Sequence, residues 1–121
     1  YPDSKTAAHM IGAYGASKAA LNRYTQALAH ELAAEHVFVN AMAPNNIVLT
    51  NVSDQVRAIG QRRPDMVEPV EMMAEAALIL CTGSHVGQVV YSRNLVHACG
   101  RGVHSLDGKQ LIGDAFLAVE L

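Results

Sequence analysis

The sequence predicts an α/β fold that forms part of a doubly wound parallel sheet. Two segments show apolar residues at helical spacing, and a short apolar run typical of a buried strand follows each of them. The predicted order is therefore helix, strand, helix, strand, which favours parallel strands joined by right-handed crossovers. With 121 residues, of which 50% are hydrophobic, the chain has enough apolar surface for one core.

The first predicted helix extends from Tyr14 to about Glu35 and carries two apolar stripes. The wider stripe consists of Leu21, Tyr24, Leu28 and Leu32, and the narrower one of Ala16, Ala20 and Ala27. We expect a long helix with two buried faces, in which the small residues allow a second helix to approach closely. The apolar run at residues 37–42 follows, and Pro44 ends it, as expected for a strand buried on both faces.

The second predicted helix lies in "EPVEMMAEAALILCTG", where Pro69 suits a first turn and Gly83 a C-terminal stop. We expect Met72 and Met73 to fill the core. The acidic residues expected to keep one side of this helix polar are Glu68, Glu71 and Glu75. A second buried strand is predicted at residues 86–92, because β-forming residues follow a glycine stop there.

Two segments lie outside this alternation. Residues 45–67 form a long polar connection after the first strand, which is where open α/β sheets bind ligands, so we interpret it as the substrate loop region. It contains a predicted short helix around residues 53–59, which Ser53 can cap. In the tail, residues 101–121, the pair Asp107-Gly108 predicts a small β-hairpin.

Composition excludes several classes of function. The net charge of -2, the mixed charge pattern and the pI of about 6.3 leave no basic face for nucleic acid. The longest apolar run, residues 76–81, is far too short to span a membrane. Cys81 and Cys99 are predicted to be buried thiols in a reducing, cytoplasmic compartment. We expect no metal, since His97, Cys99 and His104 lack a fourth ligand.

Tyr14 and Lys18 form the candidate catalytic pair. Residues four apart share a helix face, so both side chains point the same way from the first turns. A free phenol loses its proton only near pH 10, and a nearby cation stabilises the phenolate. Tyr14 could therefore act as an acid or base near neutral pH. The alternative interpretation is a solvated start of an ordinary helix, because this spacing arises easily by chance.

The context of the pair is more specific. The stretch "YGASKAALNRYTQALAHELA" followed by "VFVNAMAP" resembles the C-terminal half of the short-chain dehydrogenase/reductase family, with a likeness over about residues 10–92. The resemblance implies half of a Rossmann-like sheet, NAD or NADP as cofactor, and a small-molecule substrate. It also implies a homodimer or homotetramer formed through the helix at residues 14–35.

The resemblance assigns roles to individual residues. Tyr14 would exchange a proton with the substrate oxygen, and Lys18 would assist it and hold the nicotinamide ribose. The cofactor-binding residues implied in this way are Lys18, Pro44, Asn45, Ile47 and Thr50.

This chain also departs from the family pattern. The glycine-rich pyrophosphate turn is absent, since Gly100–Gly102 has neither the spacing nor a following helix. The family's catalytic serine precedes the tyrosine at a position that Tyr1 occupies here, and Ser4 is a poor substitute. Asn45 replaces the glycine after the proline, and Thr50 stands one position late. We therefore expect the serine and the glycine turn upstream, in a longer protein, and no tight dinucleotide binding by this chain alone.

Three functional hypotheses follow. The first is an oxidoreductase that interconverts a carbonyl and a hydroxyl by hydride transfer. The second is a non-catalytic segment that retains only the association helix, and the third is an epimerase or dehydratase with the same Tyr-x-x-x-Lys pair. Asn40 is predicted to make hydrogen bonds to the backbone near the end of the first strand. Three arginines could either anchor an acidic substrate or lie in a solvated loop. They are Arg57, Arg62 and Arg63.

Overall fold

The computed structural model describes residues 11–119 and mixes helices with short strands in an incomplete α/β fold of Rossmann-like type, as predicted. The chain divides into two compact units, which are described separately. Of the described residues, the first unit comprises residues 11–41 with His85–Val89, and the second comprises Met42–Ser84 with residues 90–119.

Helix α1, Gly12–Glu31, dominates the first unit and is followed by a 3-10 turn, Ala33–Glu35. The predicted extent is confirmed, but the prediction of two buried faces is wrong. Thr25 and Ala29 are the buried residues of α1, whereas the stripe residues Leu21 and Tyr24 are 50% and 61% exposed. The buried part of α1 is one short patch, where the segment at Gly87 packs against Ala29. Gly87 has a φ of +66°, and a Cβ added to it would lie 3.4 Å from the Cβ of Ala29.

Strands β1, Ala41–Ala43, and β2, Val89–Tyr91, form a two-stranded parallel sheet. Each predicted strand overlaps an observed one, but residues 37–40 of the first predicted run are not strand. Neither β1 nor β2 is buried on both faces. A strand becomes fully buried only in a wider sheet with both faces covered. Asn40 is structural as predicted: its Nδ2 donates to the carbonyl of His85 at 2.7 Å, and its Oδ1 accepts from the backbone of Gln88 at 3.0 Å.

The second unit contains three helices and a hairpin. The helices are α2, Asp54–Arg62, α3, Val70–Thr82, and α4, Ser92–Ala98, with a 3-10 turn at Pro64–Met66. Helix α2 confirms the predicted short helix, and the Ser53 side chain accepts from the backbone N–H of Val56. Helix α3 begins after Pro69 and ends before Gly83, as predicted, whereas α4 was not predicted.

The core of the second unit lies between α3, α4 and the hairpin. Its buried members are Met72, Ala76, Ile79, Leu95, Val96, Val103 and Ala115. Met72 is fully buried, which confirms its predicted role. The hairpin strands β3, Val103–His104, and β4, Leu111–Gly113, pair antiparallel around a turn in which Gly108 has a φ of +73°.

Two side-chain predictions are wrong in this unit. Glu68 and Glu75, expected on a polar side, are 1% and 5% exposed. Each carboxylate has polar partners inside the protein, which is the condition for burying such a group. Cys81 and Cys99, expected to be buried, are exposed free thiols, because they follow the last core residues of α3 and α4.

Candidate functional site

Tyr14 and Lys18 lie together on the first turns of α1. The Lys18 ammonium is 5.4 Å from the centroid of the Tyr14 ring, which is a cation–π arrangement, and the Tyr14 side chain is 60% exposed. Ser17 Oγ donates to the Tyr14 carbonyl at 2.7 Å, a bond within the helix. The structure therefore brings the predicted catalytic pair together and leaves its phenol open to solvent.

The predicted cofactor loop, residues 44–50, belongs to the second unit. Asn45 makes two hydrogen bonds to Asn94, which lies on α4: Nδ2 donates to Asn94 Oδ1 at 3.1 Å, and Oδ1 accepts from the Asn94 N–H at 3.3 Å. Asn45 therefore fixes the start of the loop, and Pro44 precedes it in an exposed position.

Ile47 is held by its backbone. Its N–H donates to the carbonyl of Met66, and its carbonyl accepts from the N–H of Glu68, both at 2.8 Å, around a parallel bridge to Val67. Because the N–H of Ile47 is already donated, a ligand would meet this residue through its side chain.

Thr50 closes the loop in a tight turn, with its N–H donating to the Val48 carbonyl at 3.0 Å. Arg57 Nη2 donates to the Thr50 carbonyl at 3.3 Å. Arg63 is bound to Asp65 on the surface at 2.7 Å, a bond that lowers the pKa of Asp65. These two arginines have partners within the protein, which favours the solvated interpretation of the arginine group over an anchor for an acidic substrate.

A buried polar cluster around Glu68 was not predicted from the sequence. Ser92 is fully buried, and its hydroxyl donates to Glu68 Oε1. The Asn46 N–H donates to Glu68 Oε2 at 3.3 Å, and Arg93 Nε lies 3.9 Å from the same oxygen. The available signal was a single charged residue in the otherwise apolar stretch 66–70.

Glu75 forms a second buried cluster. Its Oε1 accepts from Arg101 Nε at 3.0 Å, and its Oε2 lies 3.2 Å from His104 Nδ1. Burial is the largest single influence and raises the pKa of Glu75, but the hydrogen bonds and charges of Arg101 and His104 together lower it below its usual range. This cluster binds β3 to α3.

The Gly100–Gly102 segment belongs to this packing. A Cβ added at Gly102 would lie 2.4 Å from Leu111 Cδ1, the end of an exposed and flexible side chain that can move aside, so the packing does not require glycine there. The segment leads into β3 and is not followed by a helix, so it does not fit a dinucleotide pyrophosphate.

A cavity of about 280 Å³ also lies in the second unit. Asn46, Arg93 and Phe116 contribute to its lining.

The positions of Tyr1 and Ser4, considered for the catalytic serine, lie outside the described residues. Within residues 11–119, histidine, cysteine and acidic side chains form no group of three that could hold a metal. In the same part of the chain, every helix is too short or too polar to cross a bilayer.

Comparison with known proteins agrees with the pattern around Tyr14. A family model described as short chain dehydrogenase matches residues 3–59, which include α1, β1 and the predicted cofactor loop. No curated protein and no solved structure gives a significant match. Residues 3–59 are therefore similar to the short-chain dehydrogenases, a family of NAD(P)-dependent oxidoreductases. The predicted likeness extended to about residue 92, whereas the match ends at residue 59.

Proposed function

We propose that the protein interconverts a hydroxyl and a carbonyl group on a small molecule by hydride transfer, with Tyr14 as the acid or base. The observation that carries the proposal is the pairing of an exposed Tyr14 phenol with the Lys18 ammonium 5.4 Å from its ring. The first turn of α1 contains no acidic residue, so the partial positive charge of the helix start acts on the phenol in the same sense as Lys18.

Tyr14 moves the proton in this proposal. When the substrate carbonyl is reduced, Tyr14 Oη donates a proton to the substrate oxygen, and Lys18 stabilises the phenolate that remains. In the reverse direction the phenolate removes the hydroxyl proton, and the substrate carbon loses its hydrogen as hydride. A bound nicotinamide supplies that hydride in reduction and accepts it in oxidation.

Cofactor contacts are proposed separately for each unit: Lys18 in the first unit, and Pro44, Asn45, Ile47 and Thr50 in the second. Lys18 offers an ammonium to the ribose hydroxyls. Asn45 and Ile47 are fixed by hydrogen bonds within the second unit, so the loop can present a defined surface without ordering itself on binding. The hydrogen bonds of this loop support its proposed role in binding the cofactor, whereas Gly100–Gly102 does not fit the cofactor's pyrophosphate.

The test compares the intact protein with its Tyr14→Phe variant on a panel of ketones and secondary alcohols. The reaction is followed by the absorbance of reduced nicotinamide. The variant removes one oxygen and leaves the helix intact. We expect turnover to fall by roughly 10² to 10⁴, with cofactor affinity little changed. Near-normal turnover in Tyr14→Phe would contradict the proposal.

A second candidate function is subunit association without catalysis. It is favoured by the exposure of Leu21 and Tyr24 on α1. In that case Tyr14→Phe would change neither activity nor assembly, and only substitutions in the exposed stripe would have an effect. An epimerase or dehydratase activity would show as product formation without net change in reduced nicotinamide.

A further inference from the structure

We infer that Glu68 is a positioning residue for the cofactor loop. This inference rests on the proposed function, because it concerns residues 44–47, to which nicotinamide contacts were assigned. Glu68 lies two positions before α3, and its side chain is fully removed from solvent. A carboxylate in such a place is costly unless specific partners hold it, so its contacts indicate what it does.

One contact is made directly with the loop. The backbone N–H of Asn46 donates to Glu68 Oε2 at 3.3 Å. The backbone N–H of Glu68 itself donates to the Ile47 carbonyl at 2.8 Å. The same residue therefore binds two consecutive loop residues, once through its side chain and once through its backbone.

The other contacts fix the carboxylate. The buried Ser92 hydroxyl donates to Oε1, and the Arg93 guanidinium lies beside Oε2. Arg93 is in turn held by a bond from its Nη1 to the Ala115 carbonyl at 2.8 Å. The next residue of α4, Asn94, makes the two bonds to Asn45. Three consecutive α4 residues thus hold the loop, two of them through Glu68.

Glu75 provides a matched control within the same unit. Glu75 is also a buried glutamate with a cationic partner. Its partners are Arg101 and His104, at the start of the hairpin, and within the described residues it makes no hydrogen bond to the loop. A general loss of stability should be similar in Glu68→Gln and Glu75→Gln. Only the first should alter the loop.

The primary measurement is amide hydrogen exchange of the peptide covering residues 44–50, which needs neither cofactor nor substrate. We expect Glu68→Gln to accelerate exchange there about tenfold, because a neutral amide no longer balances Arg93 and accepts less strongly from Asn46. Glu75→Gln should leave this peptide unchanged and accelerate exchange in residues 101–104. Ser92→Ala, which removes one donor to Glu68, should give a smaller change in the same 44–50 peptide.

The second measurement is the KM for NADH and NADPH together with kcat. Glu68→Gln should raise the cofactor KM about tenfold, since displacement of a positioning group by about 1 Å is enough for such losses, while Glu75→Gln leaves the KM unchanged. Equal effects of the two variants on the 44–50 peptide, or no effect of Glu68→Gln on it, would overturn the inference. These kinetic constants are measured on the intact protein. If the intact protein neither binds nor uses a nicotinamide cofactor, the proposed function fails, and the exchange pattern still decides whether Glu68 fixes the loop.

Discussion

At the scale of single residues, Lys18 should serve both the phenol and the cofactor. Lys18→Met keeps the length and apolar stem of the side chain but removes its charge. We expect turnover to fall by roughly 10², as for loss of an acid-base function, and cofactor binding to weaken as well, unlike in Tyr14→Phe. Steady-state kinetics with varied cofactor would separate the two effects. Arg23→Met, an equivalent loss of charge farther along α1, should change neither, and a similar loss in Arg23→Met would count against a specific role for Lys18.

Glu75 predicts a particular pH dependence of stability. Its pKa in the folded protein lies below the usual value of 4.5, because hydrogen bonds from Arg101 and His104 outweigh the effect of burial. Folding therefore favours the deprotonated form. The stabilisation is fully present above the unfolded value and is lost as the pH falls through the folded pKa.

We expect Glu75→Gln to lower the free energy of unfolding by about 1–2 kcal/mol near pH 7, since the two partners are partly exposed to solvent. The difference from the unaltered protein should shrink below about pH 4.5. Urea unfolding at a series of pH values measures it, with Glu71→Gln on the same helix as the control. A difference that stayed constant down to about pH 3 would show that Glu75 acts only through packing.

At the scale of elements, the hairpin turn and the start of α1 place opposite demands on glycine. Gly108 has a φ of +73°, where a side chain is strained, whereas Gly15 lies inside a helix with no described atom within 4 Å of an added Cβ. We expect Gly108→Ala to destabilise the protein by about 1–2 kcal/mol. Gly15→Ala should stabilise it by about 0.5–1 kcal/mol through the reduced entropy of the unfolded chain. Chemical denaturation followed by circular dichroism compares the two, and a destabilising Gly15→Ala would mean that this helix start is strained or packed more tightly than described.

Helices with local start and stop signals could be predicted from the sequence, and the remaining elements could not. Ser53, Pro69 and Gly83 mark the limits of α2 and α3 through contacts within a few residues. By contrast, α4 begins directly after β2 at Tyr91 and has no capping side chain, so the local sequence contains no helix-start signal that could have predicted it. The burial of Glu68 depends on Ser92, which is 24 residues away along the chain, and a periodicity cannot reveal such a partner.

The same division applies to the candidate site. Tyr14 and Lys18 were predictable because their spacing on one helix determines that they share a face. The role of residues 44–47 was implied only by resemblance. The contacts that hold this loop come from Glu68, just before α3, and from α4 in the later sequence. The burial of the strands was overestimated for a related reason: an apolar run indicates that a segment can be covered, but the covering elements are defined elsewhere.

At the scale of the whole molecule, the exposed stripe on α1 predicts self-association. Leu21 and Tyr24 are 50% and 61% exposed, so a helix face with apolar side chains meets solvent. A second copy packing symmetrically on this face would bury these side chains. We expect a dimer or tetramer in sedimentation velocity at micromolar concentration.

Leu21→Glu should shift the protein toward monomer while its far-ultraviolet circular dichroism stays helical. Leu106→Glu, at a leucine that is 64% exposed in the hairpin region, is the control and should leave the sedimentation unchanged. If the unaltered protein sediments as a monomer at high concentration, or if both variants dissociate equally, the α1 stripe is not the surface through which the protein assembles.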